Sequence, residues 1–342
     1  MPANSPVRSF YRFSDIPLPA RDEVGGKGLS LITMFQAGLP VSNGFVLTVA
    51  FFDPWIVLLK ATPAWKNFLV ADQAGLRESC QRLKDISAGY ELTAEQKKKL
   101  REGLSAFGEK TLFAVRSSSP EEDLGSASFA GGYETVLGVP PGRLEAALHT
   151  TFASCLDARI VAYKRERGFE IAEPRIAVVV QEQIAGEVSG VGFSVNPLNG
   201  NPDQAVFESN WGLGQTVVAG KVSPDHFVVN KPSRTILERR VGRKERSLVL
   251  LAGGGTHERE DPRHDDLTLR DGQLQALTEV LIALERRYGR PIDMEWAFAG
   301  GHLYVLQARP IVAPVAIREA AKEPSTPQKL VARIKAFFRG RS

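Results

Sequence analysis

The chain has few cysteines, little net charge and no signal-peptide core, and each of these absences argues against a class of protein. Its 342 residues contain only two cysteines, Cys80 and Cys155, too few for a disulfide framework and without metal-ligand spacing. The formal charge of +4 is small, and nucleic-acid proteins usually show a concentrated basic face. We therefore expect a cytoplasmic protein that binds no nucleic acid.

Membrane segments are not expected either. The first ten residues, MPANSPVRSF, lack the apolar core of a signal peptide. The most apolar stretch, residues 45–60, is interrupted by Asp53-Pro54 into halves too short to span a bilayer. At 43% apolar content the chain can instead bury a substantial core, which we expect to be divided between two or three lobes.

Hydrophobic periodicity and turn residues predict a mixture of helices and strands. Two buried-type strands, at residues 175–184 and 188–197, are expected to pair with each other. The remaining predictions are a helix directly after 24-VGGKG-28, a helical insert at about 51–110, one long helix over 142–168, charged irregular chain over 231–270, a helix over 271–289 and a closing hairpin over 291–309.

The C-terminal residues differ in character from the rest. A polar linker follows Pro314, and residues 329–342 place apolar side chains on one helical face and basic ones on the rest. This tail is predicted to be a basic amphipathic helix that docks on a partner chain or on an anionic membrane surface. A terminal helix that packs on its own domain explains the pattern equally well.

Lys27 lies between glycines in 24-VGGKGLS-30. Glycines allow close approach of the backbone, and a lysine is a mobile point charge for phosphate oxygens. The spacing is not that of a Walker A loop, and such a short motif alone is more often a surface turn.

Arg116 follows a predicted strand and offers a planar fork that suits phosphate. The alternative is a salt bridge to one of the acids just downstream, Glu121, Glu122 or Asp123. The small-residue loop at residues 126–135, which includes Gly131 and ends at Thr135, leaves backbone amides available for an anion. A tight hairpin turn explains its glycines equally well.

The closing hairpin contains the most informative group of residues. Asp293 and Glu295 share one face of their strand because side chains alternate, and so do Gln307 and Arg309. A three-residue turn at residues 300–302 would set Glu295 opposite Gln307 and Asp293 opposite Arg309. A two-residue turn at residues 300–301 would instead set Glu295 opposite Leu306, so the register is testable. Glu295 and Gln307 side by side would form a magnesium site. A cross-strand acid–arginine pair is the alternative explanation for Asp293 and Arg309.

One further segment, 208-ESNWGLGQTVVAGKVSPDHF-227, contains a glycine-rich turn next to Trp211. It indicates little chemistry by itself. Lys221 and Asp225 are interpreted as surface residues.

Five segments resemble, in order and spacing, the nucleotide-binding region of the phosphoenolpyruvate synthase, pyruvate phosphate dikinase and rifampin phosphotransferase group. The resemblance covers about residues 15–312. The segments are VGGKGLSLITMFQAGLPVSNGFVLT, VRSSSPEEDLGSASFAGGYET, VVVQEQIAGEVSGVGFSVNP, SNWGLGQTVVAGKVSPD and YGRPIDMEW with LYVLQARPI.

The resemblance implies an ATP-grasp-like α+β fold with ATP between its lobes. The implied division is an N-terminal lobe at 1–190, a C-terminal lobe at 191–312, and a linker with the tail at 313–342. By position, Lys27 and Arg116 would hold the phosphates, Gly131 and Thr135 would form a covering loop, and Gln181 or its neighbour Gln183 would lie near adenine. Glu295 and Gln307 would bind Mg²⁺, and Arg309 would stabilise charge on the transferred phosphoryl group.

In the same group, a histidine on a swivelling domain attacks the β-phosphate of ATP, and another domain binds the acceptor. The five histidines of this chain lie outside the small-residue context that marks the swivelling histidine. The resemblance thus implies an ATP-binding subunit whose partner subunit carries the histidine and the acceptor site. In size and domain content the chain is similar to the smaller subunits of phenylphosphate synthases, whose acceptor is phenol.

Two other functions are compatible with the same residues. One is a regulatory module that binds the nucleotide without transferring phosphate, and the other is a self-sufficient ATP-grasp ligase that releases ADP. The presence of a full set of candidate transfer residues, Lys27, Arg116, Glu295, Gln307 and Arg309, argues against the regulatory module.

Overall fold

The computed structural model describes residues 8–121 and 133–311, which form two compact units. Each unit combines an antiparallel sheet with helices, as the predicted α+β class requires. The chain passes from unit 1 to unit 2 between Gln183 and Ile184, and the predicted lobe boundary at 190/191 stays a prediction. Among the described residues, unit 1 comprises 8–36, 43–121 and 133–183, and unit 2 comprises 37–42 and 184–311.

The sheet of unit 1 has the strand order β1-β2-β5-β3-β4, with neighbouring strands antiparallel. Its strands are β1 (Phe10–Arg12), β2 (Gly44–Leu47), β3 (Phe113–Ser118), β4 (Thr135–Val139) and β5 (Ala177–Glu182). Its helices are α1 (Arg21–Gln36), α2 (Asp53–Lys60), α3 (Pro63–Val70), α4 (Leu76–Ser87), α5 (Ala94–Leu104), α6 (Leu144–Ala153) and α7 (Ala158–Glu166).

The two faces of this sheet have different coverings. One face packs into a large apolar core that includes Phe113 and Val115 of β3 together with Trp55 and Phe152 from the helices. Burial of each such side chain contributes about 1.5–3 kcal/mol. The other face contacts α1, as the packing of Gly28 against Val46 shows. We call this second surface the α1 face.

Residues 142–168 do not form the single long helix that the sequence predicts. The chain forms α6 and then α7, with a short 3-10 turn at Ser154–Leu156 between them. Asp157 ends the first segment because its backbone is extended and its side chain accepts a hydrogen bond from the Arg159 amide, which caps α7. The apolar spacing continues across this cap, so periodicity alone missed it.

The sheet of unit 2 has the order β13-β12-β6-β7-β8-β9, and β10 pairs with β11 in a separate hairpin. The strands are β6 (Val188–Phe193), β7 (Gln204–Trp211), β8 (Asp225–Asn230), β9 (Ile236–Arg240), β10 (Arg246–Leu250), β11 (Thr256–Glu260), β12 (Ile292–Ala299) and β13 (His302–Pro310). The helices are α8 (Gln215–Val218) and α9 (Asp271–Tyr288), the second as predicted.

Helix α9 covers one face of the unit 2 sheet. Its Glu285 accepts a hydrogen bond from Ser194 and lies 2.5 Å from Lys231 Nζ, while its Asp271 pairs with Arg239. Side chains on β12 alternate between faces, so Glu295 and Asp293 lie on the opposite face. We call that surface the Glu295 face.

The predicted pairing of residues 175–184 with 188–197 is wrong. Strand β5 lies in the sheet of unit 1, whereas β6 pairs with β7 and β12 in unit 2. A buried strand has the same apolar sequence pattern whichever sheet it joins. The sequence therefore did not show that β5 and β6 belong to different sheets. Residues 231–270 are not irregular throughout either, because β9, β10 and β11 lie within them; their exposed charges had hidden the alternation.

Asp225 is not a surface residue, contrary to its interpretation from the sequence. Its side chain and that of Lys244 are fully buried, with 2.6 Å between Oδ1 and Nζ. Asp225 also accepts hydrogen bonds from the amides of Gly242 and Thr268, so its charge is fully paired. Lys221 is exposed, as predicted, and contacts Glu258.

Helices of membrane-spanning length and apolarity are absent from residues 8–121 and 133–311. The predicted tail at 329–342 and the loop residue Gly131 lie outside the described residues.

Candidate functional site

The glycine-rich segment around Lys27 is fixed to the end of β3. Gly25 has φ 71° and ψ 176°, and interrupts α1 rather than preceding it as predicted. A Cβ on Gly25 would lie 2.2 Å from the Ser118 carbonyl oxygen, so only glycine fits there. The Ser118 hydroxyl accepts from the Gly28 amide at 2.9 Å and donates to the Val24 carbonyl at 2.7 Å.

Arg116 lies on β3, two residues before Ser118, and therefore on the α1 face. Thr135 of β4 lies directly opposite it, so the structure brings these two predicted site residues together. Arg116 is 8% exposed, which leaves part of a buried cation accessible. Of the alternative acid partners, Glu121 lies 2.5 Å from Lys164 Nζ, and Glu122 and Asp123 lie outside the described residues.

Gln181 of β5 lies on the same face, opposite Ala114 of β3 and Gly44 of β2. It is 2% exposed, and its Nε2 has no hydrogen-bond partner within the described part of the chain. A buried amide in this state is unusual and matches a group that awaits a ligand. The nearby alternative, Gln183, follows β5, and its backbone amide donates to the Leu112 carbonyl.

In unit 2, the hairpin of β12 and β13 has the predicted pairs but not the predicted turn. Glu295 lies opposite Gln307, and Asp293 opposite Arg309. The turn, however, contains only Gly300 and Gly301, both at positive φ, with Ala299 opposite His302. A β-bulge between the turn and the Glu295–Gln307 pair makes up for the shorter turn. Trp296 lies opposite Val305 and Glu295 opposite Gln307, so Leu306 is an extra residue on β13, and it restores the predicted pairs.

Arg309 and Asp293 form the cross-strand pair that the sequence suggested. Arg309 Nε and Nη2 both lie 3.0 Å from Asp293 Oδ2, and both side chains are largely buried. Asp293 thereby restricts the orientation of the guanidinium. Glu295 and Gln307 sit in the next row on the same face and present two oxygen-bearing groups side by side.

This pair fits a magnesium ion delivered with a nucleotide. Mg²⁺ is usually held by one or two protein oxygens, with phosphates and water completing the shell. In the described ranges, clusters of three or more His, Cys, Asp or Glu side chains able to hold a metal alone are absent.

The row of Glu295 continues into residues that the sequence analysis did not assign. Val191 of β6 lies between Glu295 and Glu208 of β7, and Glu208 lies opposite His226 of β8. Glu208 is 2% exposed and His226 3%. Glu208 and Asn210 stand two residues apart on β7, so their side chains lie on the same face of the sheet.

Comparison with known proteins points in one direction. The family model of the pyruvate phosphate dikinase AMP/ATP-binding domain matches residues 21–330. A probable phosphoenolpyruvate synthase of Methanocaldococcus jannaschii is 34% identical over 85% of this chain and 25% of its own length. A probable phosphoenolpyruvate synthase of Methanothermobacter thermautotrophicus is 35% identical, covering 89% of this chain and 46% of its own length.

A rifampicin phosphotransferase of Streptomyces sviceus is 31% identical over 88% of this chain and 35% of its own length. The chain thus spans between a quarter and a half of these curated relatives. The family match covers most of the chain and includes each residue carried over from the resemblance. The protein therefore belongs to the pyruvate phosphate dikinase AMP/ATP-binding domain family, and its fold is ATP-grasp-like.

Proposed function

We propose that this protein is the ATP-binding subunit of a dikinase-type phosphotransferase whose histidine is carried by a partner subunit. It binds Mg-ATP and presents the β-phosphoryl group to that histidine. The observation that carries the proposal is the Glu295–Gln307 pair beside the Asp293-oriented Arg309, a metal and phosphate set on one sheet face.

The proposed reaction converts ATP, water and the partner's histidine into phosphohistidine, AMP and phosphate. An imidazole nitrogen forms a bond to the β-phosphorus while the bond from that phosphorus to the oxygen shared with the α-phosphate breaks. AMP leaves, and the histidine then carries the β- and γ-phosphates together. Water next attacks the γ-phosphorus, the bond from that phosphorus to the oxygen shared with the β-phosphate breaks, and phosphate leaves with the β-phosphoryl group still on the histidine. Transfer of this kind depends on positioning and charge stabilisation rather than on a nucleophile of this chain.

Each predicted site residue has a place in this scheme. Lys27 and Arg116 bind phosphate oxygens, Gly131 belongs to the loop over them, and Thr135 adds a hydroxyl at the start of β4. Gln181 lies near adenine, Glu295 and Gln307 hold Mg²⁺, and Arg309 stabilises the charge that develops during transfer. The metal supplies charge neutralisation at the phosphates when bound.

The partner subunit also supplies the acceptor site, and the basic tail at 329–342 is the proposed docking element. The final acceptor is phenol if the likeness to the smaller subunit of phenylphosphate synthases extends to the substrate. We place the complex in the cytoplasm, where the two buried free cysteines stay reduced.

The nucleotide product tests the proposal. The chain is incubated with Mg-ATP, with and without a candidate partner that carries a swivelling histidine, and the nucleotides are separated by chromatography. AMP that appears only with the partner supports the proposal. Turnover to ADP by this chain alone indicates a ligase, and ATP binding without turnover in either mixture indicates a regulatory module.

A further inference from the structure

A short segment of unit 1, residues 118–121, lies between the two residues predicted to bind phosphate. It continues from the end of β3, two residues after Arg116. Its Ser119 carbonyl accepts a hydrogen bond at 3.2 Å from the amide of Gly26, which directly precedes Lys27 in the chain. A shift of residues 118–121 would therefore move Lys27 relative to Arg116. We call residues 118–121 the linking segment.

The linking segment ends in a buried ion pair with helix α7. Lys164 Nζ lies 2.5 Å from Glu121 Oε2, and the two side chains are 2% and 14% exposed. The same carboxylate oxygen lies 3.3 Å from the Ser119 hydroxyl. Lysine side chains are rarely buried to this extent unless they are paired. The ion pair therefore fixes the end of the linking segment to the helix.

Helix α7 also contacts the chain just before β4. Tyr133, two residues before Thr135, packs against the buried side chain of Ile160. Ile160 precedes Lys164 by four residues, so the two side chains lie on one face of the helix. This face thus supports the chain at the end of β3 and at the start of β4, the strands that bear Arg116 and Thr135.

Contacts outside the sheet hold α7 in place. Arg165 donates hydrogen bonds to the carbonyls of Phe68 at 3.0 Å and Ala71 at 2.6 Å, at the end of α3. Asp157, which caps α7, lies 3.0 Å from Lys84 Nζ of α4. The support that α7 gives to the linking segment therefore has its own attachment to the helices of unit 1.

We propose that Lys164 is a positioning residue for the phosphates of ATP, and that it acts through Glu121 and the linking segment. The inference rests on the proposed function, in which Lys27 and Arg116 bind phosphate oxygens. The ion pair keeps these two cations at the spacing that the phosphates require. Because the attraction between charges depends on distance, a displaced linking segment weakens the phosphate contacts and leaves those to adenine unchanged.

Binding of ATP and AMP to the full chain tests the proposal. Dissociation constants for both nucleotides are measured with Mg²⁺ by isothermal titration calorimetry. The AMP constant divided by the ATP constant, here called the phosphate ratio, reports the contribution of the β- and γ-phosphates. In the double variant Lys164→Met/Glu121→Gln the phosphate ratio should fall about tenfold, as for the loss of one hydrogen bond to a charged group. AMP affinity should stay unchanged.

Both charges are replaced together because a single substitution would leave the other charge buried without its partner. Lys84→Met is the matched control: it removes the ion pair with Asp157 at the start of α7, from a lysine that is 25% exposed. It should leave the phosphate ratio unchanged. Denaturant unfolding measures the stability of each variant.

Hydrogen exchange of the Gly26 amide follows the linking segment directly. This amide donates to the Ser119 carbonyl, so it should exchange faster in the double variant than in the unmodified chain. In Lys84→Met its exchange should be unaltered.

An unchanged phosphate ratio in the double variant, whatever its stability, would make the ion pair a purely structural contact. That result would overturn the inference and leave the proposed function intact. So would an equal fall of the ratio in Lys84→Met, or a lower ratio with unaltered exchange at Gly26. Absence of any ATP binding by the unmodified chain would refute both proposals.

Discussion

At the scale of single residues, Arg309 and Glu295 depend on their neighbours for their orientation. Asp293 contacts both Nε and Nη2 of Arg309, which limits the directions in which the guanidinium can point. Glu295 lies opposite Gln307, so a carboxylate and an amide oxygen stand side by side, which are ligand types that suit magnesium. Together they place a fixed positive group next to a site that suits magnesium, as in other sites of phosphoryl transfer.

Replacing Arg309 with alanine is expected to reduce phosphoryl transfer at least about a hundredfold, because a fixed positive charge near the transferred group is lost. AMP formation in the presence of the partner subunit measures this. Arg243→Ala is the matched control, since Arg243 is 77% exposed and pairs with Glu245 on the surface of the protein. Equal activity of the Arg309 and Arg243 variants would remove Arg309 from the mechanism.

His149 links stability to pH. Its ring stacks on Trp55 at 4.3 Å, and burial lowers the pKa of His149, with Glu145 opposing the shift. A histidine whose pKa is lower in the folded state takes up protons more readily when unfolded. Stability should therefore be complete above the ordinary histidine pKa and decline as pH falls below it.

The His149→Phe variant should lose this part of the pH dependence, because phenylalanine keeps the aromatic stack without a titrating group. Denaturant unfolding of both proteins between neutral and mildly acidic pH measures the difference. Parallel curves for the two proteins would show that His149 does not contribute.

At the scale of elements, the contact between α1 and β3 sets the position of Lys27. The Ser118 hydroxyl donates a hydrogen bond to the Val24 carbonyl before Gly25 and accepts one from the Gly28 amide after it. These bonds attach the glycine-rich part of α1 to the end of β3. The lysine is thereby held near the strand end that also bears Arg116. The sequence indicated the glycines but not the strand that they contact.

Gly25→Ala should destabilise the protein more than Gly168→Ala. Both glycines have φ near 70°, so both substitutions introduce backbone strain, of about 1–3 kcal/mol. Only Gly25 also meets a backbone oxygen at 2.2 Å, whereas Gly168 has open space around it. Denaturant unfolding gives both free energies, and equal losses would show that the close approach to Ser118 is unimportant.

The closing hairpin shows how far sequence reasoning reached. The pairs Glu295–Gln307 and Asp293–Arg309 followed from alternation and are present, but the turn is one residue shorter than expected and a bulge makes up the difference. The position of a β-bulge is difficult to predict from a sequence, since many residue types can be the extra residue. The burial of Asp225 was missed for a related reason: its partner Lys244 is distant in sequence.

At the scale of the whole molecule, the candidate residues belong to both compact units. Lys27, Arg116 and Gln181 belong to unit 1, and the hairpin with Glu295, Gln307 and Arg309 belongs to unit 2. The proposed function requires one nucleotide to contact both sets. Binding to the native state stabilises it by mass action, by about 2.7 kcal/mol at a hundredfold excess over the dissociation constant.

Hydrogen exchange with and without Mg-ATP tests this requirement directly. Backbone amides in β3 and in the glycine-rich part of α1 should exchange more slowly with nucleotide, and so should those of β12 and β13, because ligand contacts suppress local opening in each unit. Arg116→Ala and Arg309→Ala should each weaken the protection in both units, although each changes only one. Protection confined to a single unit would mean that the two sets of residues do not share a ligand, and the assignment of Arg309 to the transferred phosphoryl group would then fail.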